Sequence, residues 1–265
     1  DRVLWDLGTG IILSLGLRFF GLVYDPQDQN PRLGDPISIL SNQSLDFSLR
    51  PAYGIVWMQT GTTTMNEYLT LKNIEALKID GSDQYGCDQE WYSKPWQRLS
   101  GCGPTAASMM ALYQIHPNPK AKTLDEAKAV MNEVWNFVTP GFGGINRLDR
   151  FYKGYENYLS TKNQAHTNHA LEIPKSVSHR PSLKVVTEFI SEGLSADAPI
   201  AFLNLNNGKV HNLEAYHWVL ITDLDLSDPS KAMAHILDGG QRLIIDLSLW
   251  LETTTSSGGF IYFSL

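Results

Sequence analysis

Residues 97–113 read Gln97-Arg98-Leu99-Ser100-Gly101-Cys102-Gly103-Pro104-Thr105-Ala106-Ala107-Ser108-Met109-Met110-Ala111-Leu112-Tyr113. The spacing predicts a helix over 104–115. Proline is tolerated in a first turn, where its missing N–H costs little, and Ala106, Ala107, Met109, Met110 and Tyr113 repeat as an apolar face. Pro117 and Pro119 end the helix. Cys102 is thereby set between two glycines directly before a helix, and the rest of the chain is read outward from that point.

Three more helices are predicted downstream. Thr123-Leu124-Asp125-Glu126 is a capping box, followed by Ala127, Val130, Met131, Val134 and Trp135 on one side, and the 140–144 loop closes that helix. A tyrosine-rich helix covers about 147–159, and Ser182 caps a fourth with Val185, Val186, Phe189 and Ile190 turned inward. From Pro199 the apolar period changes from 3.6 to 2, which gives strands over 200–206, 216–222, 232–238, 242–245 and 260–263. Helices first and an antiparallel sheet after them predict an α+β fold.

Upstream the composition changes. Residues 1–64 contain no Lys and no Glu, whereas 65–265 contain 12 Lys and 11 Glu. The early segment alternates Gly, Pro, Asn and Thr with short apolar stretches. We therefore divide the chain into 1–64, a β-rich subdomain or an extension ahead of a start at Met65, and 65–265, an ordinary globular domain. Across all 265 residues, 43% are hydrophobic and 18% charged, and the formal net charge is -7. This composition excludes a largely disordered chain. The acidic balance, with no Lys/Arg cluster, argues against a nucleic-acid surface. The longest apolar run, 8–24, is too short and too interrupted by Arg18 to span a bilayer, and no secretory signal is visible. Two cysteines, Cys87 and Cys102, give no disulfide framework and no zinc-ligand spacing. No metal or organic cofactor is implied. A free reactive thiol is most easily kept reduced in the cytoplasm, and the oligomeric state is left open.

Chemistry concentrates at Cys102. The N–H groups and dipole of a helix start favour thiolate over thiol, and the thiolate is the nucleophile. Flanking glycines permit close approach of a substrate backbone. Gln97, five residues upstream, supplies a side-chain amide that, together with the Cys102 N–H, can receive a developing oxyanion. Among seven histidines, His116, His166, His169 and His179 fall at helix ends or in polar loops, and His211 lies in the 206–214 loop. His217 opens the apolar strand Tyr216-His217-Trp218-Val219-Leu220-Ile221-Thr222, where an unpartnered imidazole would be costly. A hairpin centred at Ser227 and Asp228 places 217 opposite 238, so Asp238 is the expected orienting carboxylate. Asp223 and Asp225 read as turn residues. Cys87, in a loop beside Asp88, has no comparable setting. The glycines of 141–144 lack the strand–loop–helix context and lysine of a phosphate loop, and are expected to edge a substrate groove.

The segment 97–110, with Tyr113, resembles the active-site segment of the double-glycine (bacteriocin-leader-processing) peptidases and their standalone relatives, which are papain-like cysteine peptidases. Tyr216–Thr222 is similar to the family's histidine strand, Ile236-Leu237-Asp238-Gly239-Gly240 to its aspartate segment, and the chain order Gln, Cys, His, Asp agrees. The resemblance covers about 91–265. It implies a papain-like fold in which Gln97, Cys102, His217 and Asp238 hydrolyse a peptide or another amide. Here Gly239 stands where the family usually has proline, and neither a membrane portion nor an ATPase portion is present. Two other functions are compatible with the same residues: an acyltransferase that resolves the acyl-enzyme with an amine or thiol, and a peptide-binding module without turnover.

Overall fold

Capping chemistry sets several of the element boundaries. Thr123 and Glu126 exchange side-chain and backbone hydrogen bonds in a complete capping box. Ser182 accepts from Val185 N–H, and Asp246 from Leu249 N–H, each at the start of a helix. The computed structural model describes residues 68–116 and 121–265, together with the strands β1 (Ile12–Leu15), β2 (Arg18–Val23) and β3 (Arg32–Leu33). Met65, Pro117 and Pro119 lie outside the described residues. The chain divides into two compact units, Asp1–Thr63 and Thr64–Leu265. In the first, β1, β2 and β3 form an antiparallel sheet in that order.

The second unit runs β4 (Tyr68–Thr70), α1 (Pro95–Ser100), α2 (Cys102–Gln114), α3 (Leu124–Trp135), α4 (Leu148–Thr161), β5 (Thr167–Ile173), α5 (Leu183–Ser195), β6 (Ile200–Asn204), β7 (His217–Asp225), β8 (Met233–Asp238), β9 (Gln241–Asp246), α6 (Leu247–Thr253) and β10 (Gly258–Ser264). Its antiparallel sheet has the order β5-β10-β6-β7-β8-β9, and β4 pairs with the far end of β7. The α+β class holds. The expected segregation of helices before strands does not: β4 precedes the helices, β5 falls between α4 and α5, and α6 lies between β9 and β10. The sequence hides β5 because it is an edge strand paired only with β10 and is largely exposed or half-buried, so it needs few apolar residues. His169 therefore lies on a strand and not in a loop, its ring stacked on Tyr262 at 4.4 Å.

The sheet carries helices on both faces. Phe151 of α4 stacks on Trp218 of β7 with ring centroids 4.3 Å apart. On the opposite face, a Cβ at Gly193 of α5 would meet Tyr262 at 3.0 Å, and Trp250 of α6 packs edge-on against Phe202 and Phe260. β7 runs centrally, and His217 through Leu224 are all buried, which is why its sequence reads as a near-continuous apolar run. α2 packs against β6, β7 and α3. It begins at Cys102, two residues before the expected start, and is buried on all sides from Gly103 to Tyr113. Small residues at Ala106, Ala107, Ser108 and Ala111 allow that enclosure, and the Ser108 hydroxyl is satisfied by the Pro104 carbonyl at 2.6 Å.

Asp223 corrects a second expectation. It is no turn residue: it sits in β7, 1% exposed, and accepts hydrogen bonds from Tyr68 (2.7 Å), Thr222 (2.6 Å) and Arg242 (2.8 Å). Asp225 likewise ends β7, where it accepts from Ser227 N–H. Among the described residues no helix is long and apolar enough to cross a membrane.

Candidate active site

Cys102 is the first residue of α2 and is half-buried. No side chain caps that helix, because its cap is Gly101. The positive end of the α2 dipole is therefore presented at the thiol without a competing capping oxygen. α1 runs directly into this point, carrying Gln97 at 8% exposure five residues before the thiol. Among the described residues no hydrogen bond engages the Gln97 carboxamide. Gln97 lies just before α2, where the sequence places it, on a short helix that the sequence reading did not predict.

Both glycines around the thiol are required by close approaches. A Cβ at Gly101 would lie 2.3 Å from the Gln97 carbonyl oxygen and 3.0 Å from the Tyr92 ring. At Gly103 it would lie 3.0 Å from Ile145. Gly101→Ala is expected to destabilise the protein by about 1–3 kcal/mol through this overpacking, measured as a lowered urea midpoint. An unchanged midpoint would mean that the α1–α2 junction is not tightly packed.

His217 opens β7, and its Nε2 lies 2.7 Å from Asp238 Oδ1. With Nε2 taken by the carboxylate, Nδ1 is the ring nitrogen left over, and Cys102 lies near enough to act on the charge of the ring. Burial works against a charged ring, but the hydrogen bonds and negative charge of Asp238 and Cys102 outweigh it and push the His217 pKa up to about 10. Cys102, His217 and Asp238 are thus brought together where β7 begins and β8 ends, beside the start of α2.

The pairing of His217 with Asp238 is achieved differently from expectation. Position 217 pairs with Asn204 of β6, and Asp238 pairs across its own hairpin with Gln241. The β7–β8 ladder joins Leu220 to Leu237, so Asp238 lies two residues from the position opposite His217. A shift of two keeps both side chains on one face, and diagonal neighbours at about 7–8 Å are still within side-chain reach. The hairpin after Asp238 is a two-residue turn with φ of +53° at Gly239 and +74° at Gly240. Those angles suit glycine and would strain most other residues, which accounts for a glycine directly after the aspartate.

Three further features adjoin Gly103 or His217. Gly141 and Gly144 bridge to form a tight loop that leaves Phe142 fully exposed. The loop ends on Ile145, which packs on Gly103 and whose carbonyl receives the Trp218 indole N–H at 2.6 Å. Tyr216, next to His217, has φ +57° although it is not glycine. Asn204, opposite His217, is fully buried. Sequence reasoning missed Asn204; its signal was an asparagine inside the apolar strand Ile200-Ala201-Phe202-Leu203-Asn204, where strand propensity disfavours it.

Cys87 is fully buried, and burial together with the neighbouring Asp88 pushes its thiol up, away from the nucleophilic form. Among the described residues no group of His, Cys, Asp or Glu could hold a metal ion. No protein-family model matches the chain, and no curated protein matches it.

Proposed function

We propose that this protein is a papain-like cysteine peptidase, similar to the double-glycine leader peptidases, acting on a peptide or protein substrate. The observation that carries the proposal is the His217–Asp238 hydrogen bond at 2.7 Å, on a ring within electrostatic reach of a thiol at a helix start. His217 takes the Cys102 proton, giving a thiolate–imidazolium pair that Asp238 holds in one orientation. The thiolate attacks the amide carbon, and the carbonyl π electrons move onto oxygen. The Cys102 N–H and the Gln97 carboxamide stabilise that oxyanion. Collapse of the intermediate breaks the C–N bond as His217 protonates the leaving amine, and a thioester remains. Water, deprotonated by the same ring, then releases the acid and restores the thiol. The 140–144 loop edges the groove in which the substrate lies.

A peptide-library digest read by mass spectrometry tests this. Cleavage is expected with the native protein and is expected to vanish with Cys102→Ala. Site-resolved alkylation supplies a substrate-free check. Cys102 is expected to label rapidly at neutral pH, with at least a tenfold loss in His217→Ala, about 1.4 kcal/mol. Cys87 is expected to stay unlabelled. Equal labelling of both cysteines, insensitive to His217, would overturn the peptidase reading.

A further inference from the structure

His217 is the first residue of β7, so its ring direction depends on how the chain enters that strand. The entry is unusual. Tyr216 adopts φ +57°, a conformation that L-residues other than glycine and asparagine seldom take. Its side chain is 76% exposed, so packing of the tyrosine ring cannot be what holds it there. The constraint has to come from the backbone on either side.

On the N-terminal side the side-chain tie nearest to Tyr216 is one buried amide. The Asn204 Oδ1 accepts from the Trp250 indole N–H at 2.9 Å and from Asn206 N–H at 3.1 Å. Two donors on one atom identify it as the oxygen, which leaves Nδ2 to donate to the Glu214 carbonyl. The first half of the 205–216 loop is tied separately to the end of α6: Asn206 accepts from Thr254 and Thr255, and Lys209 N–H donates to Thr253. The second half is held by the Asn204–Glu214 bond, two residues before Tyr216, and further back by the buried Leu213 and by Asn212, whose Nδ2 donates to the Ile244 carbonyl at 2.7 Å. Asn204 is also the direct ladder partner of His217.

We propose that Asn204 is a positioning residue for the His217 imidazole: by holding the Glu214 carbonyl it fixes the left-handed turn at Tyr216 and so the direction in which the ring leaves β7. This rests on the peptidase reading above, because it assigns Asn204 a task only if His217 must face Cys102. Asn204 touches neither substrate nor the reacting atoms. It acts through Glu214, Tyr216 and then His217.

The test is site-resolved alkylation of the full chain with iodoacetamide across pH, comparing the native protein, Asn204→Ala, and Asn204→Ala with Tyr216→Gly. Asn204→Ala is expected to lose about tenfold of the His217-dependent labelling of Cys102 at neutral pH, about 1.4 kcal/mol, with Cys87 still protected as in the folded protein. Glycine adopts positive φ without strain. Tyr216→Gly in the alanine background is therefore expected to restore most of the labelling, which a merely structural role for Asn204 would not predict. Unchanged labelling in Asn204→Ala, or a loss that glycine does not reverse, overturns the assignment. If Cys87 becomes labelled in Asn204→Ala, Asn204→Asp decides. It keeps the shape and both acceptor roles; protonated it still donates to Glu214, whereas ionised it cannot and repels that carbonyl, so a loss of labelling that sets in as the aspartate ionises supports the proposal and labelling equal to the native protein at every pH overturns it. If the native protein itself lacks His217-dependent labelling, the failure belongs to the peptidase reading and not to Asn204.

Discussion

Asp238→Ala is expected to move the alkaline limb of the pH profile of the proposed peptidase activity down by more than one unit, from near 10 toward or below the ordinary imidazole value of about 6.5. Burial opposes the charged ring; the hydrogen bonds and charges of Asp238 and Cys102 oppose burial. Removing the carboxylate strips away one of the two partners that favour imidazolium, and the burial penalty is then less opposed. Labelling of Cys102 is expected to fall about tenfold or more, because a ring without its carboxylate is a poorer acceptor of the thiol proton. Asp238→Asn keeps an acceptor for Nε2 and is expected to retain part of both effects.

Stability carries the same signature. A folded-state pKa raised above the unfolded value stabilises fully below about pH 6.5 and loses that contribution as pH rises through about 10. The native protein is therefore expected to lose stability across this window in urea titrations at stepped pH, and Asp238→Ala is expected to show a flatter dependence. An alkaline limb that does not move would mean that the carboxylate neither orients nor charges His217.

Asp223→Ala is expected to be the most destabilising single change away from the candidate site, by about 3 kcal/mol in urea unfolding. This carboxylate gathers Tyr68 from β4, Thr222 from its own strand and Arg242 from β9, so it ties three strands at a point 1% exposed. Its loss leaves a buried threonine hydroxyl short of a partner and removes the counter-charge of Arg242. Burial raises its pKa, but the hydrogen bonds of Thr222, Tyr68 and Thr70 and the charge of Arg242 prevail and hold it below the usual carboxylate range. That contribution is present above the unfolded value of about 3.9 and is lost as pH falls through the lower folded value. Part of the acid sensitivity of the native protein is therefore expected to disappear in Asp223→Ala. A loss of stability under about 1 kcal/mol would class the cluster with ordinary surface ion pairs.

Local sequence was enough where a residue's role follows from its immediate neighbours. The capping box at Thr123, the Ser182 cap, the start of a helix beside Cys102 and the apolar strand opening at His217 are read from spacings of a few residues, and each element stands within a few residues of its expected place. The residues Gln97, Cys102 and His217 were candidates for the same reason, whereas Asp238 was a candidate through an assumed hairpin register. β5 and the burial of Asp223 were not legible, because an edge strand needs little hydrophobic pattern and a buried aspartate is recognised only by partners 155 and 19 residues away.

The meeting of His217 and Asp238 was decided by the tertiary structure alone. Near the hairpin end of β7 and β8, Asp223 pairs with His235, yet Ile221 pairs with Ile236, so Thr222 is an extra residue in the ladder. Had the hairpin-end register run on unbroken, Asp238 would stand opposite Leu220 and share a face with Trp218. The bulge moves it opposite Val219, onto the face of His217. Side chains alternate with a period of two, so one extra residue exchanges the two faces of everything beyond it. The sequence contains the residues of the site and their order along the chain, but the parity that brings the carboxylate to the imidazole comes from a bulge, and only the folded sheet determines where it falls.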